Sequence, residues 1–233
     1  MTAAVLSQRS ATELVEVGLT GEMDTGSLVY RPPPVSRRFG GAVLFARSMH
    51  DGQARKGTQI PYLSHLLAVT ALAIEDVAVD DVLRDETETI AIAAMLHDVV
   101  EDTRATVADV AGRFGAEVAR IVAACSDTEV SPKPPWRPRK QAYIDHLADA
   151  DQATLCVSLA DKRHNARCIV EDAAAALITG GDFWSRFNAG PADQAWYYDE
   201  LAKVFSERRP GTASAELRRT VDRLCELAAE AAT

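Results

Sequence analysis

The sequence predicts an all-α fold, a bundle of about eight to ten helices in one domain. Three observations predict it. Apolar residues recur at helix spacing along most of the chain from about Phe39. Capping and breaking residues punctuate those runs at helix-length intervals. No clean series of alternating apolar and polar residues reads as a set of strands. A chain of 233 residues with 47% hydrophobic content can bury one sizeable core without staples.

Residues 1–37, rich in Thr, Ser and Gly and closed by Pro32, Pro33 and Pro34, are expected to form a partly ordered arm. A first helix follows from about Phe39, with Val43, Leu44 and Ala46 at helix spacing, and the Gly-containing stretch from Asp51 to Gln59 breaks it. Pro61 is suited to open the next helix, because its missing N–H costs nothing at the first position. That helix should bury Leu63, Leu66, Leu67, Thr70 and Ala71 and run to about Val77, with His65 inside it. An acidic stretch then precedes a strongly apolar helix from Thr89 to about Val100, whose N-terminal dipole the carboxylates favour. Thr106 and Asp109 signal a cap for a helix through Phe114, Gly115 ends or bends it, and Glu117 to Cys125 continues helically. A basic, Pro-rich loop is expected over Ser131 to Arg139, then helices over Lys140 to Ala148, Thr154 to Asn165 and beyond, Pro191 to Phe205, and Ala213 to Ala231.

The net charge of −9 and pI near 5.1 argue against a protein that binds by neutralising many nucleic-acid phosphates. A small anionic substrate remains open, but it would need a local basic pocket and a metal cation to offset the negative field. Cys125, Cys156, Cys168 and Cys225 form no CxxC pair and read as buried thiols of a reducing cytoplasm. No leader pattern and no membrane-length apolar run is seen, so neither export nor a membrane partner is expected. A homo-oligomer is expected only from the general frequency of symmetric assemblies.

Chemistry concentrates in three places. His97, Asp98, Glu101 and Asp102 share one helix end directly after the apolar run Ile90 to Leu96, so four ionisable groups lie at the margin of the core. Carboxylates packed this closely repel unless a proton or cation compensates them. His65 sits in an apolar helix, and Asp161 ends the apolar run Leu155 to Ala160, with Asn165 one turn later. Taken singly, His65 reads as a satisfied core histidine, the acidic helix end as a solvated face, and Asp161 as an ion-pair partner of a neighbouring cation. Taken together, His65, His97, Asp98 and Asp161 form a mixed N/O set suited to Mn, Fe, Co or Zn. Arg55, Lys56, Arg163 and Arg167 could neutralise phosphate, and Lys133, Arg137, Arg139 and Lys140 form a second basic set around Trp136.

Three passages carry a family resemblance: His50 to Gly57 leading into Pro61-Tyr62-Leu63-Ser64-His65, then Met95 to Thr103 with HDVVEDT, then Leu159 to Arg167. Phe45 to Arg167 resembles the hydrolase domain of the RelA/SpoT-homologue family, within the HD phosphohydrolase superfamily. The resemblance implies an HD-domain helical bundle, and the helix pattern along the chain is read as extending that domain over residues 38–210, with residues 211–233 a C-terminal helix packed on it. It further implies one divalent metal, commonly Mn(II), held by His65, His97, Asp98 and Asp161. Glu101 and Asp102 match the acidic pair that positions or activates water, Arg55 and Lys56 the base end of a nucleotide pocket, Asn165 a contact near the sugar, and Arg167 a phosphate holder. The implied reaction removes the 3′-pyrophosphate of (p)ppGpp to give GDP or GTP. Nothing after about residue 170 resembles a synthesising or regulatory domain, so a small stand-alone hydrolase is expected. Two alternatives stay open: the same site acting on another nucleotide (an adenine alarmone or the 2′-phosphate of NADPH), and a non-catalytic alarmone-binding protein. Trp196, Tyr197 and Tyr198 could stack on a base, with at least one expected in the core.

Overall fold

In the computed structural model, residues 35–127 and 134–231 are described. They form ten α-helices, two 3-10 turns and no strand. The expected arm lies outside the described residues as far as residue 34, as does Lys133.

Ser36 ends any arm by capping α1 (Arg37–Met49), its hydroxyl accepting from the Arg38 amide at 3.1 Å. The stretch after α1 is a hairpin-like turn: Arg55 N donates to the Ile60 carbonyl at 2.8 Å and Tyr62 N to the Gln53 carbonyl at 2.9 Å. Pro61 belongs to this turn, bridged to Ala54, so α2 (Leu63–Ala78) starts two residues later than expected. Its buried face is His65, Leu66, Val69, Thr70, Ala73 and Val77, whereas Leu67 and Ala71 are exposed.

The apolar helix expected from Thr89 to Val100 is two elements, α3 (Thr87–Leu96) and the single turn α4 (Val99–Asp102). His97 Nδ1 lies 2.8 Å from the Ala94 carbonyl, the acceptor that the Asp98 amide would use in an unbroken helix. The break at His97 and Asp98 therefore has a local cause, and it frees both side chains to turn toward the core. A capping box of Thr106 and Asp109 opens α5 (Val107–Phe114), and Gly115, at φ 88°, turns the chain into α6 (Ala116–Cys125).

The loop expected over Ser131 to Arg139 is helical from Trp136, where α7 (Trp136–Asp149) begins. Pro138 lies in the first turn, where no intrahelical N–H is needed, so it does not delay the helix. Asp151 then caps α8 (Gln152–Thr179), which runs 28 residues to Gly180 in the left-handed conformation. Pro191 opens α9 (Pro191–Arg208), and α10 (Thr212–Glu230) packs against α8 and α9.

The core forms two apolar clusters. One joins α1, α2, α3, α5, α6 and the Ala153, Cys156, Val157 and Ala160 side of α8. The other joins α7, α9, α10 and the Leu155, Leu159, Ala166, Ile169 and Ala173 side. Every residue from Ala153 to Asp161 is buried, as a helix apolar all round its first turns must be. Asp161 thus ends the stretch of α8 that is buried on every side, after which the helix keeps one face in the second cluster.

Candidate active site

Four atoms from three elements converge: His65 Nε2 from α2, His97 Nε2 and Asp98 Oδ2 from the α3–α4 break, and Asp161 Oδ1 from α8. His65 Nε2 lies 3.3 Å from His97 Nε2, 3.5 Å from Asp98 Oδ2 and 3.3 Å from Asp161 Oδ1. His97 Nε2 lies 3.0 Å from Asp98 Oδ2 and 3.6 Å from Asp161 Oδ1. Both imidazoles are 2% exposed, so water cannot relieve the crowding.

The hydrogen-bond network assigns the tautomers. His97 Nδ1 must donate to the Ala94 carbonyl, so the neutral ring has its lone pair at Nε2. His65 Nδ1 lies 2.8 Å from His164 Nδ1, which is itself 3.0 Å from the Arg55 guanidinium. A guanidinium only donates, so His164 Nδ1 is an acceptor and His65 Nδ1 carries the hydrogen. Each imidazole Nε2 then faces the other and both carboxylate oxygens at 3.0–3.6 Å. Such separations arise when each atom lies about 2.1 Å from one shared cation. His65, His97 and Asp98 by themselves already meet the spacing for a metal ion. With no cation, burial pushes His97 down, but Asp98 and Asp161 outweigh it and hold the imidazole well above its ordinary value. Burial likewise pushes Asp161 up, yet Lys162 and the two histidines hold it well below the carboxylate range.

Surrounding side chains fix the carboxylates. Tyr62 donates to Asp98 Oδ2 at 2.5 Å and reaches Asp102 Oδ2 at 3.3 Å. Asp161 receives Asn165 Nδ2 on Oδ1 at 2.5 Å and Lys162 Nζ on Oδ2 at 2.6 Å. Glu101 turns the other way, accepting the Asp127 amide at 3.2 Å.

A cavity of about 350 Å³ opens beside this cluster, its lining including His65, Tyr62 and Asp102. Arg55, Lys56 and Asn165 line it, and Arg55 also donates to Asn165 Oδ1 at 3.2 Å. Phe183, Phe187 and Ile169 also line it, with Arg186 paired to Asp172 at 2.8 Å. Gly57, at φ 72°, lets the hairpin turn pass against Arg186: a Cβ there would lie 2.7 Å from Arg186 Cδ. Neither Glu101 nor Arg167 lines the cavity; Arg167 is exposed on α8 with Glu171 at 3.8 Å.

The described members of the second basic set point elsewhere as well. Arg139 and Lys140 both pair with the buried Asp127, and Arg137 pairs with Asp193 and lies 4.1 Å over the Trp196 ring. Of the three adjacent aromatics, Tyr198 lines the cavity, Tyr197 packs on Trp136 in the core, and Trp196 sits under Arg137. Sequence reasoning assigned no role to Tyr62 or His164. Their positions, three before His65 and three after Asp161, put each on its ligand's side of the chain and were the available signal.

The fold and the cluster together define an all-helical protein with a candidate His/His/Asp/Asp metal centre beside a cavity. The chain belongs to the HD domain family, which matches residues 42–187. It is 33% identical over 146 residues to the bifunctional (p)ppGpp synthase/hydrolase SpoT of Escherichia coli, covering 60% of this chain. That match spans only 19% of the Escherichia coli protein. It is 32% identical over 133 residues to the guanosine-3′,5′-bis(diphosphate) 3′-pyrophosphohydrolase MESH1 of Drosophila melanogaster, covering 57% of this chain and 69% of that one. A solved structure of a metazoan orthologue of SpoT, described as hydrolysing ppGpp, superposes with TM-score 0.60 at 27% identity, over 83% of this chain and 97% of that one. Among the described residues, no helix is long and apolar enough to cross a membrane.

Proposed function

We propose that this protein is a metal-dependent (p)ppGpp 3′-pyrophosphohydrolase, with His65, His97, Asp98 and Asp161 holding one divalent ion, Mn(II) foremost. Two imidazole nitrogens, each 3.0–3.6 Å from the other and from two carboxylate oxygens, beside a nucleotide-sized cavity carry this reading. Its hydrolase relatives bear the corresponding names.

A divalent ion, when bound, polarises a phosphoryl oxygen and makes a nearby water more acidic. The chain's own residues do the rest. Asp102, on the cavity wall within reach of the Tyr62 hydroxyl, is placed to take the proton of the attacking water. Tyr62 aligns Asp98 and Asp102 through one hydroxyl. Glu101 braces the other side by binding the Asp127 amide, which orients the α4 turn. Arg55 and Lys56 neutralise phosphate or stack on the purine, and Asn165 meets the sugar. Phe183 and Phe187 supply an apolar part of the wall.

The test is product analysis by ion-exchange chromatography after incubating the metal-stripped, Mn(II)-reconstituted protein with ppGpp, with an adenine alarmone and with NADPH. GDP plus pyrophosphate from ppGpp, faster than product from the others and absent with Asp98→Ala, is the expected result. Intact ppGpp alongside turnover of another nucleotide would move the assignment to that substrate.

A further inference from the structure

We propose that His164 is a positioning residue that holds His65 in its ligating tautomer and ties it to the cavity-lining Arg55. The inference rests on the reading that His65 belongs to a metal site.

His164 is 6% exposed, and its Nδ1 lies 2.8 Å from His65 Nδ1 and 3.0 Å from Arg55 Nη1. Both contacts need hydrogens, and Arg55 can only donate, so the one lone pair on His164 Nδ1 serves two donors. His164 therefore carries its own hydrogen on Nε2, where Cys168 Sγ stands 3.8 Å away. The His65 ring is left with its hydrogen on Nδ1 and its lone pair at Nε2, facing the other three candidate ligand atoms. Among the described residues no carboxylate or backbone carbonyl accepts from His65 Nδ1; a second imidazole takes the place that such an acceptor commonly fills behind a ligating histidine. The same acceptor holds Arg55, which also bonds Asn165, the residue that bonds Asp161. Arg55, His164, His65, Asp161 and Asn165 thus close a ring of contacts, so a group that draws Arg55 away alters the environment of two candidate ligands.

The measurements are metal affinity and tautomer state in the full chain. Mn(II) titration followed by electron paramagnetic resonance should show His164→Leu, which offers no acceptor, binding about 10- to 100-fold more weakly than wild type. His164→Asn, whose Oδ1 can accept from both donors near the position of Nδ1, should recover most of that loss. A change in unfolding alone would not produce this ordering. Independently of any variant, nitrogen–proton correlation spectra of the Zn(II)-loaded wild type should show His65 as the Nδ1–H and His164 as the Nε2–H tautomer. Wild-type metal affinity in a folded His164→Leu protein, equal losses in both variants, or an Nδ1–H on His164 would overturn the positioning role alone. A wild-type protein that binds neither Mn(II) nor Zn(II) would overturn the metal-site reading and this role with it.

Discussion

Lys162 offers a sharp test of how the site's charges are balanced. Its ammonium lies 2.6 Å from Asp161 Oδ2, with side chains only 13% and 9% exposed, and 5.0 Å over the Tyr143 ring. Burial pushes the ammonium down, but Asp161 and the surrounding tyrosine hydroxyls outweigh it and keep it charged well above neutrality. In Lys162→Met the apolar stem is retained and the charge removed, so Asp161 is left buried with one oxygen uncompensated. Breaking such a pair costs about 3–5 kcal/mol, against about 0–1 for an exposed one. At about 2–4 °C per kcal/mol for a chain of this size, the metal-free variant should melt roughly 6–20 °C below the metal-free wild type. A saturating cation supplies positive charge on the other oxygen, so the gap should narrow when both proteins are loaded with Mn(II). Differential scanning fluorimetry with chelator and with metal reads both numbers. A metal-free difference under about 1 kcal/mol, or a gap that widens with metal, would refute the charge balance described above.

Two further perturbations follow from single contacts. Asp151 caps α8 through the Ala153 and Thr154 amides at 3.0 and 3.1 Å, so Asp151→Ala should cost about 1–2 kcal/mol in urea denaturation. Partial burial pushes the Asp151 carboxyl up, but Arg120 and Thr154 hold it at about 2. A depressed acid stabilises above its unfolded value, so the charge-dependent part should be whole above about pH 4 and fade as pH falls toward 2. With the side chain 45% exposed, solvent screening limits that part to about 1 kcal/mol, and a wild-type-minus-variant difference that is flat across that window would contradict it. Gly57→Ala places a methyl on a left-handed residue, 2.7 Å from Arg186 Cδ, at about 1–2 kcal/mol of backbone strain. Because the Arg186 stem can swing aside, the expected outcome is a severalfold rise in KM for the nucleotide with kcat nearly unchanged; an unchanged KM would show that Arg186 does not shape the occupied cavity.

The helix order was legible because each helix is signalled locally. The capping box at Thr106 and Asp109, Gly115 after Phe114, and Pro191 at the head of α9 act within a few residues of themselves. Errors arose where distant or side-chain contacts override local pattern. The apolar run through Val100 carries no breaker, and the interruption at His97 comes from an imidazole taking its own helix's carbonyl. Leu67 fits a helical stripe as well as Val69 does, and only the placement of α3 and α8 decides that Val69 is the buried one.

The same distinction separates the candidate ligands from their supports. His65, His97, Asp98 and Asp161 were readable because an imidazole or carboxylate at the end of an apolar run has to be compensated, whatever it meets. What compensates it depends on contacts between residues far apart in the chain: Tyr62 reaches Asp98 across 36 residues and His65 reaches His164 across 99. One part of that tertiary pattern was nevertheless periodic. Asp161, Asn165, Cys168 and Asp172 follow one another at steps of four, three and four, which places them on a single face of α8. At 1.5 Å per residue that face extends about 16 Å from Asp161, long enough to run beside a nucleotide from its phosphoryl end to its base. The helix that delivers a candidate ligand therefore also forms a wall of the cavity, and a shift of α8 along its axis would move both ends of the site together.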